Sequence, residues 1–134
     1  GLAVRGHIAG KDGIYAAALL VEMLAVTGKS VSQLYQEITD KYGMLYYEDA
    51  AFTMTQARKV ELQEKLFVKL EVPDFGNAVE KINRTDGCKV YFTDGSWVIC
   101  RFSGTEPLLR MAAEADDQSE AQRYIAVWRT FLGL

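Results

Sequence analysis

Three short apolar runs, Cys88–Phe92, Trp97–Phe102 and Leu108–Ala115, constrain the fold more than any other part of this sequence. The first two are strand-like and joined by Thr93-Asp94-Gly95-Ser96, where Asp-Gly favours a tight hairpin turn. Period-two alternation puts Trp97, Ile99 and Arg101 on one face and Val98, Cys100 and Phe102 on the other. A sheet of this kind must bury one face, and the sequence supplies helices to cover it. Ser119 to Leu132 reads as an amphipathic helix with Ala121, Ile125, Trp128 and Leu132 facing inward. Thr55 caps a second helix from about Gln56 to Phe67, with Val60, Leu62 and Leu66 as core candidates. The expected class is α+β, a small sheet of mainly antiparallel strands with helices packed on one face.

The first third reads differently. Ile14 to Val26 is apolar almost all round, with Glu22 as its one charge, and is too short for a membrane span. It is expected to be a buried helix. Gly28 stops it, Ser30 or Ser32 caps a further helix reaching about Tyr42, and Gly43 ends that one. Met44 to Met54 has aromatic and threonine content suited to an extended segment. Val72 to Gly76 is a loop, followed by a short segment in which Ala78, Val79 and Ile82 pack on the core. No internal repeat or low-complexity tract is visible.

Between the second and third apolar runs the chain concentrates anion-binding chemistry in Arg101-Phe102-Ser103-Gly104-Thr105-Glu106-Pro107-Leu108-Leu109-Arg110. Ser103 and Thr105 offer hydroxyl donors, and Gly104 lets neighbouring N–H groups converge into a nest for an anion. Arg101 and Arg110 flank the turn with planar guanidinium forks suited to paired phosphate oxygens. Pro107 fixes the exit and removes a competing donor. Serine, glycine and threonine in a row are by themselves ordinary turn residues; the two flanking arginines favour a phosphate site. Glu106 would repel an anion and is expected to face solvent or pair away from it. Glu114 is expected to pair with an arginine on the same strand face, Arg110 being the candidate, and Trp97 and Trp128 read as core or sheet-face aromatics.

Arg-x-Ser-Gly-Thr-Glu-Pro-x-x-Arg resembles the phosphate-binding loop in the last domain of the α-D-phosphohexomutases, the phosphoglucomutase/phosphomannomutase family. Asp86 to Val98 resembles the hairpin leading into that loop. Gly6-His7-Ile8 and Gly10-Lys11-Asp12-Gly13-Ile14 resemble the end of the family's third domain, so the likeness spans nearly the whole chain. One departure is Phe102, where many bacterial members carry proline; this loosens the loop entry but removes no phosphate ligand. The resemblance implies that residues 1–42 are the helical end of the third, sugar-reading domain with its connector. Residues 43–134 would be the C-terminal phosphate-binding domain.

The activity so implied is reversible transfer of phosphate between the 1- and 6-positions of a hexose phosphate, through an enzyme phosphoserine and a sugar bisphosphate. Arg101, Ser103, Gly104, Thr105 and Arg110 would hold the phosphate that is not being transferred. Lys11 would approach the reacting sugar phosphate as a catalytic group, with His7 beside it. Mg²⁺ would be bound by aspartates in another domain, so these residues would need other domains of the same enzyme to catalyse anything. Glucose or mannose phosphate is the expected substrate, since Gly10-Lys11-Asp12-Gly13 is more like those groups than like the glucosamine phosphate enzymes. A stand-alone phospho-ligand or partner-binding module is the alternative, and the apolar helix from Ile14 to Val26 argues against it.

Composition adds exclusions. A chain of 134 residues with 49% apolar and 25% charged residues fits one core plus an appendage. A net charge of −3 gives no global attraction to nucleic acid or to an anionic membrane, and neither partner is expected. Cys88 and Cys100 do not form a Cys-x-x-Cys pair and His7 is the only histidine, so no metal site is expected. Separated thiols suit a reducing, cytoplasmic setting. Residue 1 reads as a domain boundary.

Overall fold

A computed structural model describes residues 2–104 and 106–134. The chain divides into two compact units, Gly1–Gly43 and Met44–Leu134.

The first unit consists of two helices. Helix α1 spans Gly13–Thr27 and is capped by Asp12, whose carboxylate accepts from the amides of Ile14 and Tyr15. Gly28, with φ of +64°, closes it in the left-handed region. Helix α2, Val31–Tyr42, opens with a reciprocal capping box: Ser30 accepts from the Gln33 amide while the Gln33 side chain accepts from the Ser30 amide. Of the two serines weighed from the sequence, Ser30 is the cap. The expected burial of α1 is not found. None of its residues is buried, and Ile14 and Val26 at its two ends are 85% and 80% exposed. The physical reason is geometric. An apolar cylinder needs neighbours on every side, whereas the two helices of this unit lie at 83° to one another and neither buries any residue. No single helix among the described residues is long and apolar enough to cross a membrane.

The second unit is a five-stranded, wholly antiparallel sheet. Its strands are β1 (Tyr46–Thr53), β2 (Val79–Asn83), β3 (Cys88–Phe92), β4 (Trp97–Phe102) and β5 (Leu108–Ala115), in the order β1-β5-β4-β3-β2. Helix α3 (Gln56–Gln63) follows β1 and is extended by a π-helical turn over Glu64–Val68; α4 (Gln118–Leu132) follows β5. The architecture is α+β, as the alternating runs required. The alternation is clean where it matters: Cys88, Val90 and Phe92, Val98 and Cys100, then Leu109, Met111, Ala113 and Ala115 are all buried.

Leu62 and Leu66 from the α3 segment, with Ala121, Tyr124, Trp128 and Leu132 from α4, complete that core. Val60, expected there, is 55% exposed instead. Ile125 is only half-buried, and Tyr124 takes the central position. Its ring stacks on Phe92 at 4.6 Å, and its hydroxyl bonds Ser96 Oγ at 2.9 Å, which satisfies the polar end inside the core. Phe75 closes the cluster edge-on to Phe92, Tyr124 and Trp128.

Arg123 fastens the loop that carries Phe75. It donates to the Phe75 carbonyl at 2.5 Å, to the Asn77 side chain, and through two nitrogens to Glu120. These bonds hold the Glu120 carboxyl at about 2, well below its usual 4.5. The core layer thus lies on one side of the sheet. The other face, carrying the odd-numbered residues of β4 and the even-numbered residues of β5, is open within this unit.

Candidate functional site: an anion loop between paired arginines

Rows of side chains cross the open face of the sheet in register. Ala51, Arg110 and Arg101 form one row, Asp49, Ala112 and Ile99 the next, and Tyr47, Glu114 and Trp97 the third. The first two rows, with Tyr47 and Trp97 of the third, line a depression of about 340 Å³ that runs from the two arginines toward the aromatic pair. Arg101 and Arg110 are therefore direct cross-strand partners at the stem of the β4–β5 hairpin, both exposed. Like charges directly opposite on a sheet repel, so this pairing is unfavourable until a negative group comes between or beside the guanidiniums. Asp86 relieves it in part. Its Oδ2 accepts from Arg101 Nη1 at 2.8 Å. Arg110 has no carboxylate partner among the described residues.

The hairpin turn between these arginines is tied at several points. Ser103 N–H donates to the Leu108 carbonyl at 2.8 Å, and Met54 N–H, at the end of β1, donates to the Pro107 carbonyl at 3.0 Å. Lys59 on α3 donates from Nζ to the Ser103 carbonyl at 2.8 Å. Phe102 packs edge-on against Phe67 of the π-helical turn. Ser103 is half-buried, Gly104 and Glu106 are exposed, and Thr105 lies outside the described residues. The entry to the loop is set by Gly87, which sits in the turn before β3. A Cβ there would meet the Cys100 carbonyl oxygen at 2.6 Å and Arg101 Cβ at 2.9 Å. Only a glycine lets that turn approach the end of β4 so closely, and the approach brings the adjacent Asp86 to Arg101.

One expectation is revised. Glu114 does not pair with Arg110; it accepts from Trp97 Nε1 at 3.0 Å. The register explains it, because Trp97 lies directly opposite Glu114 whereas four strand residues span about 13 Å. Asp86, Lys59 and Gly87 carry contacts to the site that the sequence reading did not assign. The Asp86-Gly87 turn was visible as punctuation, but nothing in the sequence linked Lys59 to a loop 44 residues away.

Lys11 belongs to the first unit and is exposed. Beside it, His7 Nε2 bonds Asp12 Oδ2 at 2.8 Å while the imidazole stacks on Tyr15 at 4.0 Å. That bond, followed by the helix amides, lowers the Asp12 carboxyl below its ordinary range. His7 thus braces the N-cap of α1. Among the described residues no group of three or more histidine, cysteine or acidic side chains is gathered to hold a metal ion. Cys88 and Cys100, cross-strand partners in the core, are both free, and burial raises both thiols above their usual range.

Residues 53–129 match the family described as phosphoglucomutase/phosphomannomutase, C-terminal domain. The chain belongs to the phosphoglucomutase/phosphomannomutase family. Residues 1–42 match the same family's alpha/beta/alpha domain III. A phosphoglucomutase/phosphomannomutase of Thermococcus kodakarensis is 35% identical over 118 residues, covering 88% of this chain and 24% of that protein. A probable phosphoglucosamine mutase of Methanocella arvoryzae is 33% identical over 115 residues, covering 84% and 23%. A phosphomannomutase/phosphoglucomutase of Pseudomonas putida is 30% identical over 126 residues, covering 90% and 24%. The chain thus spans about a quarter of the length of these relatives. Among solved structures, the open form of pp63/parafusin, a phosphoglucomutase from Paramecium, superposes with a TM-score of 0.62 at 22% identity. It covers 95% of this chain and 28% of its own, and shares the fold.

Proposed function

We propose that this chain forms the phosphate-gripping end of a phosphohexomutase, with the Arg101–Arg110 hairpin as its anion site. The observation that carries the reading is the direct cross-strand pairing of Arg101 and Arg110. Such a pair costs stability unless an anion offsets it, and rules of sheet design are broken in this way mainly at functional sites. Ser103 and Gly104 lie in the same turn, and Thr105 follows them in sequence. A phosphate dianion between two guanidiniums would accept charge-assisted, bidentate hydrogen bonds that Asp86 alone does not replace.

The role is binding rather than bond-making. Holding the phosphate that is not transferred converts its binding energy into orientation of the far end of the sugar, where the transfer takes place. A grip on phosphate, indifferent to ring position, serves a substrate bound either way round. Glucose and mannose phosphates are the proposed substrates, with Lys11 acting near the sugar and other domains of the same enzyme completing the site. In the full enzyme Mg²⁺ would supply electrostatic stabilisation of the transferring phosphoryl group. The described residues here offer that ion no ligand cluster.

Titration of the chain with inorganic phosphate, followed by amide NMR, tests the reading. The largest shifts are expected within residues 101–110. Shifts centred on any other patch would overturn it.

A further inference from the structure

We infer that Lys59 is a positioning residue of the anion site, acting through the peptide group between Ser103 and Gly104; the inference rests on the phosphate reading above. Lys59 is half-buried on α3, and its Nζ donates to the Ser103 carbonyl at 2.8 Å. Among the described residues it forms no ion pair, whereas its neighbour Arg58 is committed to Glu61 and to the Leu132 carbonyl. Lys65 makes the same kind of bond, to the Phe131 carbonyl at 2.9 Å; what sets Lys59 apart is that its acceptor lies in the loop between the two arginines.

Peptide geometry gives the contact a direction. The described chain contains no cis peptide, so the carbonyl of Ser103 and the N–H of Gly104 point opposite ways across one planar group. The carbonyl faces Lys59 on the helix side of the sheet. The Gly104 N–H therefore points away from Lys59. Arg101 and Arg110 also stand away from the helix layer, on the open face. A cation bonded to the carbonyl oxygen draws electron density toward that end and makes the N–H at the other end a stronger donor. Lys59 thereby does two things without touching the anion. It fixes the rotation of the Ser103–Gly104 peptide, and it sharpens an amide for the anion that the arginines attract.

Ser103 N–H and the Pro107 carbonyl are anchored to Leu108 and Met54, which fixes the stem of the turn, and the Lys59 bond adds a tie at the Ser103 carbonyl.

The test compares wild type, Lys59→Met and Lys59→Arg by titration of the 134-residue chain with inorganic phosphate, with amide shifts and thermal melting recorded on each. Lys59→Met is expected to weaken phosphate about tenfold, or roughly 1.4 kcal/mol. Its shifts should stay centred on the loop, and its Gly104 amide proton should move upfield before any phosphate is added. Lys59→Arg keeps the charge and the donor and should recover most of the affinity. A purely structural lysine would lower the melting temperature and leave the phosphate affinity of the folded fraction unchanged. If Lys59→Met does not fold, Lys59→Gln carries the comparison and must weaken phosphate in the same direction. Loop-centred binding in wild type with unchanged affinity in a folded variant overturns the role of Lys59 alone. Phosphate shifts away from the loop in wild type overturn the phosphate site and Lys59's role with it.

Discussion

Gly87 and Gly95 form a natural experiment in the cost of a single methyl group. Both occupy turns leading into strands of the same sheet, with φ of +94° and +92°, where an L-residue is strained whatever its surroundings. Around Gly95 nothing lies within 4 Å of a built Cβ. At Gly87 the same atom meets the Cys100 carbonyl at 2.6 Å and Arg101 Cβ at 2.9 Å. Alanine at either position incurs the dihedral strain, about 1–3 kcal/mol. Only Gly87→Ala adds the clash. Because the obstacle is strand backbone and not the tip of a flexible side chain, relief requires moving the turn, an overpacking cost of about 2 kcal/mol.

For a domain of this size, each kcal/mol is worth about 4–8 °C, so Gly87→Ala should melt roughly 8–16 °C below Gly95→Ala. Differential scanning calorimetry of the two variants and wild type measures this directly. The turn that moves also carries Asp86, so Gly87→Ala should in addition weaken phosphate binding in the fraction that remains folded. Equal melting temperatures for the two variants would show that the β2–β3 turn does not press on the end of β4, and the account of how Arg101 is held would fall.

Removing either arginine should separate binding from folding. Arg101→Ala and Arg110→Ala are each expected to weaken phosphate by about 1.5–3 kcal/mol, read as the change in Kd by NMR titration, with no fall in the phosphate-free melting temperature, since both side chains are exposed and removing one relieves their repulsion. Unchanged affinity in both would place the phosphate elsewhere. Acid should loosen the unit through Glu120, whose carboxyl is held at about 2 by Arg123 against an ordinary 4.5. A depressed carboxylate stabilises the fold above its unfolded pKa, and that contribution is lost as the pH falls from about 4.5 toward 2. With solvent screening of the partly exposed pair it amounts to about 1–2 kcal/mol. Melting curves across that range should show wild type losing more stability than Glu120→Gln, and parallel curves would refute the assignment.

What the sequence determined by itself was everything that depends on near neighbours. Period-two alternation sorted β4 into its two faces, with Trp97, Ile99 and Arg101 on one and Val98, Cys100 and Phe102 on the other. Asp-Gly marked the β3–β4 turn, Thr55, Gly28 and Gly43 marked helix ends, and the cap of α2 was narrowed to Ser30 or Ser32. Each of these is decided within a few residues of chain, where dihedral preference and capping act. The cluster of arginines, hydroxyls and glycine that nominates an anion site was likewise contiguous.

Tertiary structure decided the rest, because the deciding contacts join distant segments. That Arg101 and Arg110 stand opposite each other depends on the β4–β5 register. That Glu114 finds Trp97 rather than Arg110 depends on the same register. Lys59 reaches Ser103 only because β1 pairs with β5, ties Met54 to Pro107 and delivers the start of α3 to the loop. The apolar pattern of α1 told of its helicity correctly but not of its burial. A helix's own sequence fixes its dihedral angles, whereas burial is set by what packs around it, and α2 covers too little.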